Sequence, residues 1–230
     1  MAVLTGLLPV DVHLKRSGRS RRFSLRVSRL DGKVTLSIPL RAREAEALEF
    51  LRGQEAWLRE TLAAMPESAL VPVHLGAMLP VEGRSLMLAS GSGRVIREAD
   101  GSLLVPGAPE QAAARVGAWL KVLARDRLAE ASARHAGTLQ RRYTRLTLRD
   151  TRSRWGSCSP DGALMYSWRL IMAPPSVLDY VAAHEAAHLV QMNHSAAFWD
   201  VVLTLCPNWK RERQWLHDHG QTLHRFRFGD

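Results

Sequence analysis

The spacing of apolar residues predicts a β-rich first half of the chain. Period-two alternation between positions 9 and 40 marks three strands, at 10–14, 23–27 and 34–38. Asp31-Gly32 is a typical turn between two of them. Apolar residues at helical spacing then predict one helix over 41–64. Short strands separated by glycine follow at 74–76, 86–88, 95–96 and 103–105.

The second half of the chain is predominantly helical in its pattern. An alanine-rich segment predicts a helix over 110–136 that Gly137 would end. Two strands are predicted next, at 143–148 and 165–172. Three further helices are predicted at 177–191, 195–205 and 209–219. Ser176 would cap the first of these three, and Asp179 would favour its positive end.

These elements predict an α+β fold with two parts. Residues 1–108 form a β-rich part with one helix, and residues 109–230 hold most of the helices. With 230 residues, 46% of them hydrophobic, a sizeable core needs no disulfides, and two cysteines give no disulfide framework. The start of the chain lacks a basic signal region, and no apolar run is long enough to span a membrane. We therefore expect a soluble cytoplasmic protein that does not bind membranes.

The net charge of +10 permits a nucleic-acid partner. Every charged residue from 12 to 30 is basic, and the arginines of the predicted strand region are Arg21, Arg22, Arg26 and Arg29. Two interpretations remain open. These side chains form either a solvated strand face or a basic groove for a substrate or nucleic acid.

The clearest chemical signal is His184-Glu185-Ala186-Ala187-His188. On a helix, residues four apart lie on one face, so both imidazoles can bind one zinc ion. Glu185 lies beside the first ligand and can act as the base toward water activated by the metal. Catalytic zinc normally has three protein ligands, and His194 supplies the third. The expected cofactor is one Zn²⁺ per chain.

The position of His194 requires a turn. An unbroken helix would carry His194 roughly 15 Å beyond His184, so the chain must turn back after about Gln191. Asn193 is the residue best suited to a left-handed turn conformation there. Metzincins have the same histidine spacing but a glycine where this chain has Gln191. We therefore expect the turn to be made differently from theirs.

These motifs together resemble the YgjP-like metallopeptidase family, which is related to SprT-like and WLM-type zinc proteases. The segments that carry the resemblance are Arg154-Trp155-Gly156-Ser157-Cys158-Ser159, Trp168-Arg169-Leu170, Asp179-Tyr180-Val181, the His184–His188 motif, Asn193-His194-Ser195 and Phe198-Trp199. The resemblance implies a zincin-like core, with a small sheet packed on the metal-binding helix. It also implies His184, His188 and His194 as zinc ligands and Glu185 as base. Ser167 departs from the asparagine that is more usual in the family.

Several nearby residues have two interpretations each. Arg154 or Arg169 would stabilise an oxyanion, or both tie strands to carboxylates. The substrate would pair with a strand at 154–159 or at 165–169, and Gly156 would allow a close approach. Cys158 is a fourth metal ligand or a structural thiol. Four aromatic residues belong either to the core or to a substrate pocket: Trp155, Trp168, Phe198 and Trp199. Asp200 or Glu212 would accept hydrogen bonds from the ligand histidines. We expect solvated positions for His217, His219 and His224.

Three functions are compatible with this pattern. The first is a zinc metallohydrolase, a peptidase acting on peptides or proteins. The second is a nucleic-acid-associated protein with protease chemistry, held through the basic N-terminal strands. The third is a zinc-stabilised binding module without activity, although a structural zinc usually has a protein ligand at its fourth position. No feature of the sequence indicates an oligomeric state.

Overall fold

The computed structural model describes residues 2–4, 10–28, 32–63 and 70–229. The chain forms two compact units, residues 1–69 and 70–230. This division differs from the predicted one after residue 108. The strands between 70 and 108 belong to the second unit because apolar residues of those strands share one core with the long helix that follows: Leu86, Leu88, Leu103 and Val105 with Val116 and Leu120.

The first unit is a sheet with two helices. Its strands are β1 (Ala2–Leu4), β2 (Val10–Ser17), β3 (Ser24–Val27) and β4 (Val34–Pro39), in the order β1-β2-β4-β3. β4 pairs parallel with β2 and antiparallel with β3. The three predicted strands are thus confirmed, whereas Arg29 and Asp31 lie outside the described residues.

The predicted helix at 41–64 is two helices, α1 (Glu44–Gly53) and α2 (Glu55–Ala63). The break falls at Gln54, next to Gly53, a residue type that weakens helices. The unit has its own small core, which consists of Val12, Val34, Leu36, Ile38, Ala47, Leu51 and Leu58.

The second unit begins with β5 (Val71–Pro72), β6 (Met78–Val81), β7 (Arg84–Gly91), β8 (Arg97–Ala99) and β9 (Ser102–Pro106). The last four form a sheet in the order β6-β7-β9-β8. The strand predicted at 74–76 is wrong, because these residues form a turn between β5 and β6, in which the Ala77 N–H donates to His74 O. The strand predicted at 95–96 is also wrong, since pairing begins only at Arg97. Asp100 and Gly101 both have positive φ, and this tight turn sets the register in which Ala99 lies opposite Ser102.

The long helix α3 (Ala112–Thr138) follows a short 3-10 turn. The prediction that Gly137 ends it is wrong, because Gly137 lies inside the helix. Gln140 takes the left-handed conformation instead, with a φ of 52°. The backbone N–H of Arg141 then donates to Ala136 O at 2.9 Å and closes the helix end.

A second small sheet contains β10 (Arg145–Arg149), β11 (Gly156–Cys158) and β12 (Ala163–Ser167), in the order β10-β12-β11. β12 packs on α3, where the Tyr166 hydroxyl lies 3.0 Å from Ser132 Oγ. The strand predicted over 165–172 is wrong beyond Ser167. Residues Trp168–Met172 form a 3-10 turn in which every residue is buried, without the alternation of a strand.

The remaining helices are α4 (Pro175–Ala187), α5 (Ala196–Leu205) and α6 (Trp209–His219). A 3-10 turn then leads to β13 (Phe226–Arg227), which pairs with β5. Ser176 does not cap α4, because the helix begins at Pro175 and the Ser176 hydroxyl donates to Glu212 Oε2 at 3.0 Å. Asp179 lies beyond the first turn and accepts hydrogen bonds from Arg134 and His135.

The described part of the chain is therefore a mixed α+β structure with small sheets and six α-helices. None of its helices combines the length and apolarity needed to cross a membrane. α4 contacts α3, α5, α6 and β11, so it lies at the centre of the second unit.

Candidate metal centre

The end of α4 and the segment before α5 bring three histidines together. His184 lies in the last turn of α4, His188 directly follows the helix, and His194 precedes α5. One ring nitrogen of each lies within 4.8 Å of the others. His184 Nε2 and His194 Nε2 are 3.2 Å apart. The three predicted ligands thus meet at one point, in an arrangement compatible with a metal ion.

The turn that returns His194 is earlier than predicted and differently built. α4 ends at Ala187, and the N–H groups of Leu189 and Gln191 donate to Ala186 O and Ala187 O. The left-handed conformation predicted for Asn193 is wrong, since the described non-glycine residues with positive φ are Glu82, Asp100 and Gln140. The Asn193 side chain instead accepts from the Ser195 N–H at 3.2 Å, which stabilises the start of α5.

Gln191 also orients a candidate ligand. His188 Nδ1 lies 2.9 Å from the Gln191 carbonyl oxygen. Because a carbonyl only accepts, Nδ1 carries the hydrogen and Nε2 keeps its lone pair for a metal. The predicted partners Asp200 and Glu212 make no such contact. Asp200 is exposed, and Glu212 accepts from Ser176 and Arg211.

Aromatic side chains of α5 surround the histidines. The Phe198 ring centre lies 4.9, 4.5 and 4.7 Å from those of His184, His188 and His194. Burial, reinforced by the neighbouring imidazoles, lowers the pKa of His184 to about 3. Burial also lowers the pKa of His188. Both rings are neutral at pH 7, and neutral imidazole is the form that binds metals.

Glu185 is buried beside this group, with 5% of its surface exposed. Burial raises its pKa to about 8, and the charge of Arg154 opposes the shift. Gly156 of β11 lies directly against it. A Cβ at position 156 would lie 2.6 Å from Glu185 Cγ and Oε1, so only glycine leaves this space to the carboxyl group. Gly156 thus allows the close approach that was predicted, and the group that approaches it is the Glu185 side chain.

A pocket of about 350 Å³ opens beside these residues. We call it the α4–α6 pocket; Tyr180, His184 and Glu185 of α4, Arg213 and His217 of α6, and Trp155-Gly156 line it. β11 is an edge strand of its sheet, whereas β12 is paired on both sides. Of the two predicted strands for substrate pairing, 165–169 is therefore wrong, and 154–159 remains available.

The two candidate arginines occupy different positions. Arg169 is buried and donates to both carboxylate oxygens of Asp150, at 2.6 and 3.0 Å, and to the carbonyls of Leu223 and Phe226. An oxyanion role for Arg169 is therefore wrong, because its donors are already engaged. Arg154 is exposed, and its charge acts on Glu185.

The other candidates separate by burial. Cys158 is not part of the histidine group, and burial raises the pKa of its thiol to about 11, which keeps it neutral. Trp168 and Phe198 are buried as predicted for core residues, whereas Trp155 lines the pocket. His217 and His219 are exposed as predicted. The solvated position predicted for His224 is wrong, because its ring stacks on Trp155 and is buried.

Sequence reasoning missed two residues of the pocket, Tyr180 and Arg213. Tyr180 lies four residues before His184, and this helical spacing was a usable signal. Arg213 is nineteen positions beyond His194 on another helix, and no spacing rule connects the two.

Comparison with known families matches residues 21–219 to a family described as YgjP-like, metallopeptidase domain. No curated protein and no solved structure matches the chain. The matched range includes Glu185 and the three histidines. Since it covers far more than half of the sequence, the chain belongs to the YgjP-like family of metallopeptidase domains.

Proposed function

We propose that this protein is a zinc-dependent peptidase with a zincin-like core. His184, His188 and His194 bind the zinc ion, and Glu185 is the general base. The observation that carries the proposal is the meeting of three imidazoles next to a buried carboxyl group, with His184 and Glu185 at the wall of an open pocket. A purely structural zinc site has no need of a carboxyl group held beside it or of open space.

The donor set fits zinc. Three neutral imidazoles without thiolates are typical of a catalytic zinc site. Two nitrogens bound to one tetrahedral zinc ion lie about 3.3 Å apart, and the distance between His184 Nε2 and His194 Nε2 is 3.2 Å. The buried Nδ1 atom of His184 has no hydrogen-bond partner in the described residues, so the polar contact of this ring is made through Nε2.

The proposed hydrolysis assigns a different role to the metal ion, to Glu185 and to β11. Zinc would supply the Lewis acid that activates water and polarises the amide carbonyl. Glu185 accepts the proton of the attacking water and passes it to the leaving nitrogen. A pKa of about 8 suits both transfers, because it lies close to neutral pH. The free edge of β11 offers backbone groups to an extended peptide, as in other proteins that bind peptides by strand addition.

The test is the variant Glu185→Gln, which keeps the size of the side chain and removes the base. We expect peptide hydrolysis to fall by a factor on the order of 10²–10⁴, with about one zinc ion still bound per chain by metal analysis. Glu110→Gln, which changes an exposed glutamate, is the matched control and should keep full activity. Full activity of Glu185→Gln would exclude Glu185 as the base, whereas absence of hydrolysis by the zinc-loaded wild type would favour a binding module without activity.

A nucleic-acid partner is a second proposal, which rests on the first unit. Lys15, Arg19, Arg21, Arg22 and Arg26 are all exposed, and no acidic residue lies between positions 12 and 30. Such a surface binds phosphates with a steep salt dependence. We expect binding of a labelled DNA duplex to weaken at least tenfold between about 50 and 200 mM salt. Replacing Arg21, Arg22 and Arg26 by glutamine should remove it, and unchanged binding would exclude this partner.

A further inference from the structure

Arg213 is a cation at the wall of the α4–α6 pocket. It lies on one face of α6 with His217, opposite His184 and Glu185 of α4. Its guanidinium lies over the Trp199 ring, 5.3 Å from the ring centre. Trp199 in turn contacts His184, with 5.8 Å between the ring centres. The aromatic ring therefore holds the arginine next to the candidate metal centre.

Arg213 is not engaged by a carboxylate. Within the described part of the chain it takes part in no salt bridge, and the acidic residues of α6 are occupied by others. Glu212 accepts from Ser176 and Arg211, and Asp218 accepts from Gln214 and contacts His217. The one carboxyl group in the pocket wall is Glu185, which packs against Gly156 and forms no ion pair with Arg213 in the described residues. The donors of Arg213 are therefore available to a ligand.

Tyr180 adds a second donor to the pocket wall, close enough for the charge of Arg213 to act on it. It lies one helical turn before His184, and its hydroxyl has no hydrogen-bond partner in the described residues. A tyrosine hydroxyl carries its proton at neutral pH and can donate to an anion.

We propose that Arg213 and Tyr180 form a carboxylate-binding subsite, so that the preferred substrates are peptides with a carboxylate close to the cleaved amide. The inference rests on the proposed peptidase function and extends it to the substrate class. A planar guanidinium beside a hydroxyl donor matches the geometry of a carboxylate. The carboxylate belongs either to an acidic side chain or to a peptide C-terminus, and both sources share this chemistry.

The experiment compares pooled peptides that differ only in charge. The first pool has capped termini and glutamate at each position in turn, and the second has glutamine there. A third pool repeats the second with free C-terminal carboxylates. Binding to zinc-loaded Glu185→Gln protein and hydrolysis by zinc-loaded wild type are both measured. We expect the first or third pool to be bound and hydrolysed about tenfold better than the second. This factor is at the low end of the contribution of a hydrogen bond to a charged group, because Arg213 is exposed. The pool that is preferred identifies the source of the carboxylate.

Variants then assign the preference to residues. Arg213→Gln should abolish it, Arg213→Lys should restore part of it, and Tyr180→Phe should reduce it a few-fold. Lys210→Gln removes one positive charge from the same helix outside the pocket and should leave the preference unchanged. Circular dichroism and zinc content should be the same for all variants.

The outcomes separate this inference from the proposed function. Hydrolysis without a preference for carboxylates, or an equal loss for all pools in Arg213→Gln, would overturn the subsite and leave the peptidase intact. Binding that prefers carboxylates through Arg213, without hydrolysis of any pool, would support the subsite and contradict the peptidase. Absence of binding and hydrolysis for every pool would overturn both.

Discussion

Arginine side chains in the two regions next to Trp155 differ in whether their donors are hydrogen-bonded. On one side lies the α4–α6 pocket, where Arg213 and Tyr180 have donors without partners in the described residues. On the other side lies a group that we call the Arg169 cluster, formed by the buried residues Arg169 and His224 and the half-exposed Asp150. There the arginine makes four hydrogen bonds through its three nitrogen atoms, and His224 stacks on Trp155 with 5.1 Å between the ring centres.

This difference distinguishes binding groups from structural ones. A buried charge is tolerated only when its hydrogen bonds are made, so removing one member of the Arg169 cluster should destabilise the fold. It also fixes the wall of the pocket, because Trp155 directly precedes Gly156, which lies against Glu185. Unengaged donors beside a pocket remain available to a ligand. The comparison predicts that changes on the two sides affect different properties, activity on one side and stability on the other.

Among the substitutions that test this comparison, Gly156→Ala on the pocket side is expected to have the largest effect. The added Cβ would lie 2.6 Å from Glu185 Oε1 and must displace the carboxyl group. A shift of about 1 Å in a reacting group costs about 100-fold in rate. Peptide hydrolysis should fall by that factor, while the free energy of unfolding falls by only about 1–3 kcal/mol. Rates and urea unfolding curves of both proteins test this, and an unchanged rate would contradict the role of Gly156.

Arg169→Ala should affect the other side of the comparison. It leaves Asp150 and two carbonyls without a donor, and breaking a buried ion pair costs about 3–5 kcal/mol. Asp150 is half exposed, so we expect about 2–3 kcal/mol of lost stability in urea unfolding. The preference for acidic peptides should not change.

Arg169→Lys should recover part of this loss, because it restores the charge but not the paired geometry. Arg84→Ala, which breaks an exposed ion pair with Glu98, is the control and should leave the unfolding midpoint nearly unchanged. An Arg169→Ala protein as stable as wild type would show that the cluster does not stabilise the fold.

The Arg169 cluster should also make stability depend on pH. Burial, together with the charge of Arg169, lowers the pKa of His224 from 6.5 to about 4. Between these values the unfolded chain binds a proton that the folded protein does not, so stability falls as the pH drops from 6.5 to 4. The contribution is at most about 1.4 kcal/mol per pH unit. His224→Gln should flatten this dependence, whereas the exposed His217→Gln should leave it as steep as in wild type.

The smallest effect is expected from Gly137→Ala, the matched counterpart of Gly156→Ala. A Cβ at Gly137 meets no atom within 4 Å, and the residue lies inside α3. Alanine should therefore raise the free energy of unfolding by about 0.5–1 kcal/mol through its better helix propensity. Hydrolysis should not change. A loss of stability would mean that the glycine is needed for its conformation after all.

The sequence predicted the elements better than their ends. Helices with a clear apolar face, such as α5 and α6, were predicted within a residue of their observed bounds. The predicted cap at Ser176 and the predicted stop at Gly137 were wrong. The Ser176 hydroxyl donates to Glu212 and does not cap the helix. The end of α3 is set by the left-handed conformation of Gln140 and not by Gly137. Local preferences of about 1 kcal/mol are easily outweighed by such contacts.

In the candidate site too, the features set by local spacing were predicted, and those set by distant contacts were not. His184, Glu185 and His188 are linked by helical spacing, which is a local property that a sequence contains. His194 can join the other two histidines only if the chain turns back after α4. The sequence predicted this turn, although Asn193 does not have the left-handed conformation that was expected there. The roles of Arg169, His224 and Arg213 could not be predicted. Each depends on partners that approach from distant parts of the chain.

The sequence by itself thus determined the donor types, their spacing on α4 and the metallopeptidase family. Tertiary structure alone decided which charges are neutralised and which face the pocket. The physical reason is the range of the interactions. Helical spacing acts over four residues, whereas the burial of Glu185 against Gly156 and the engagement of Arg169 by Asp150 arise only when separate elements pack together.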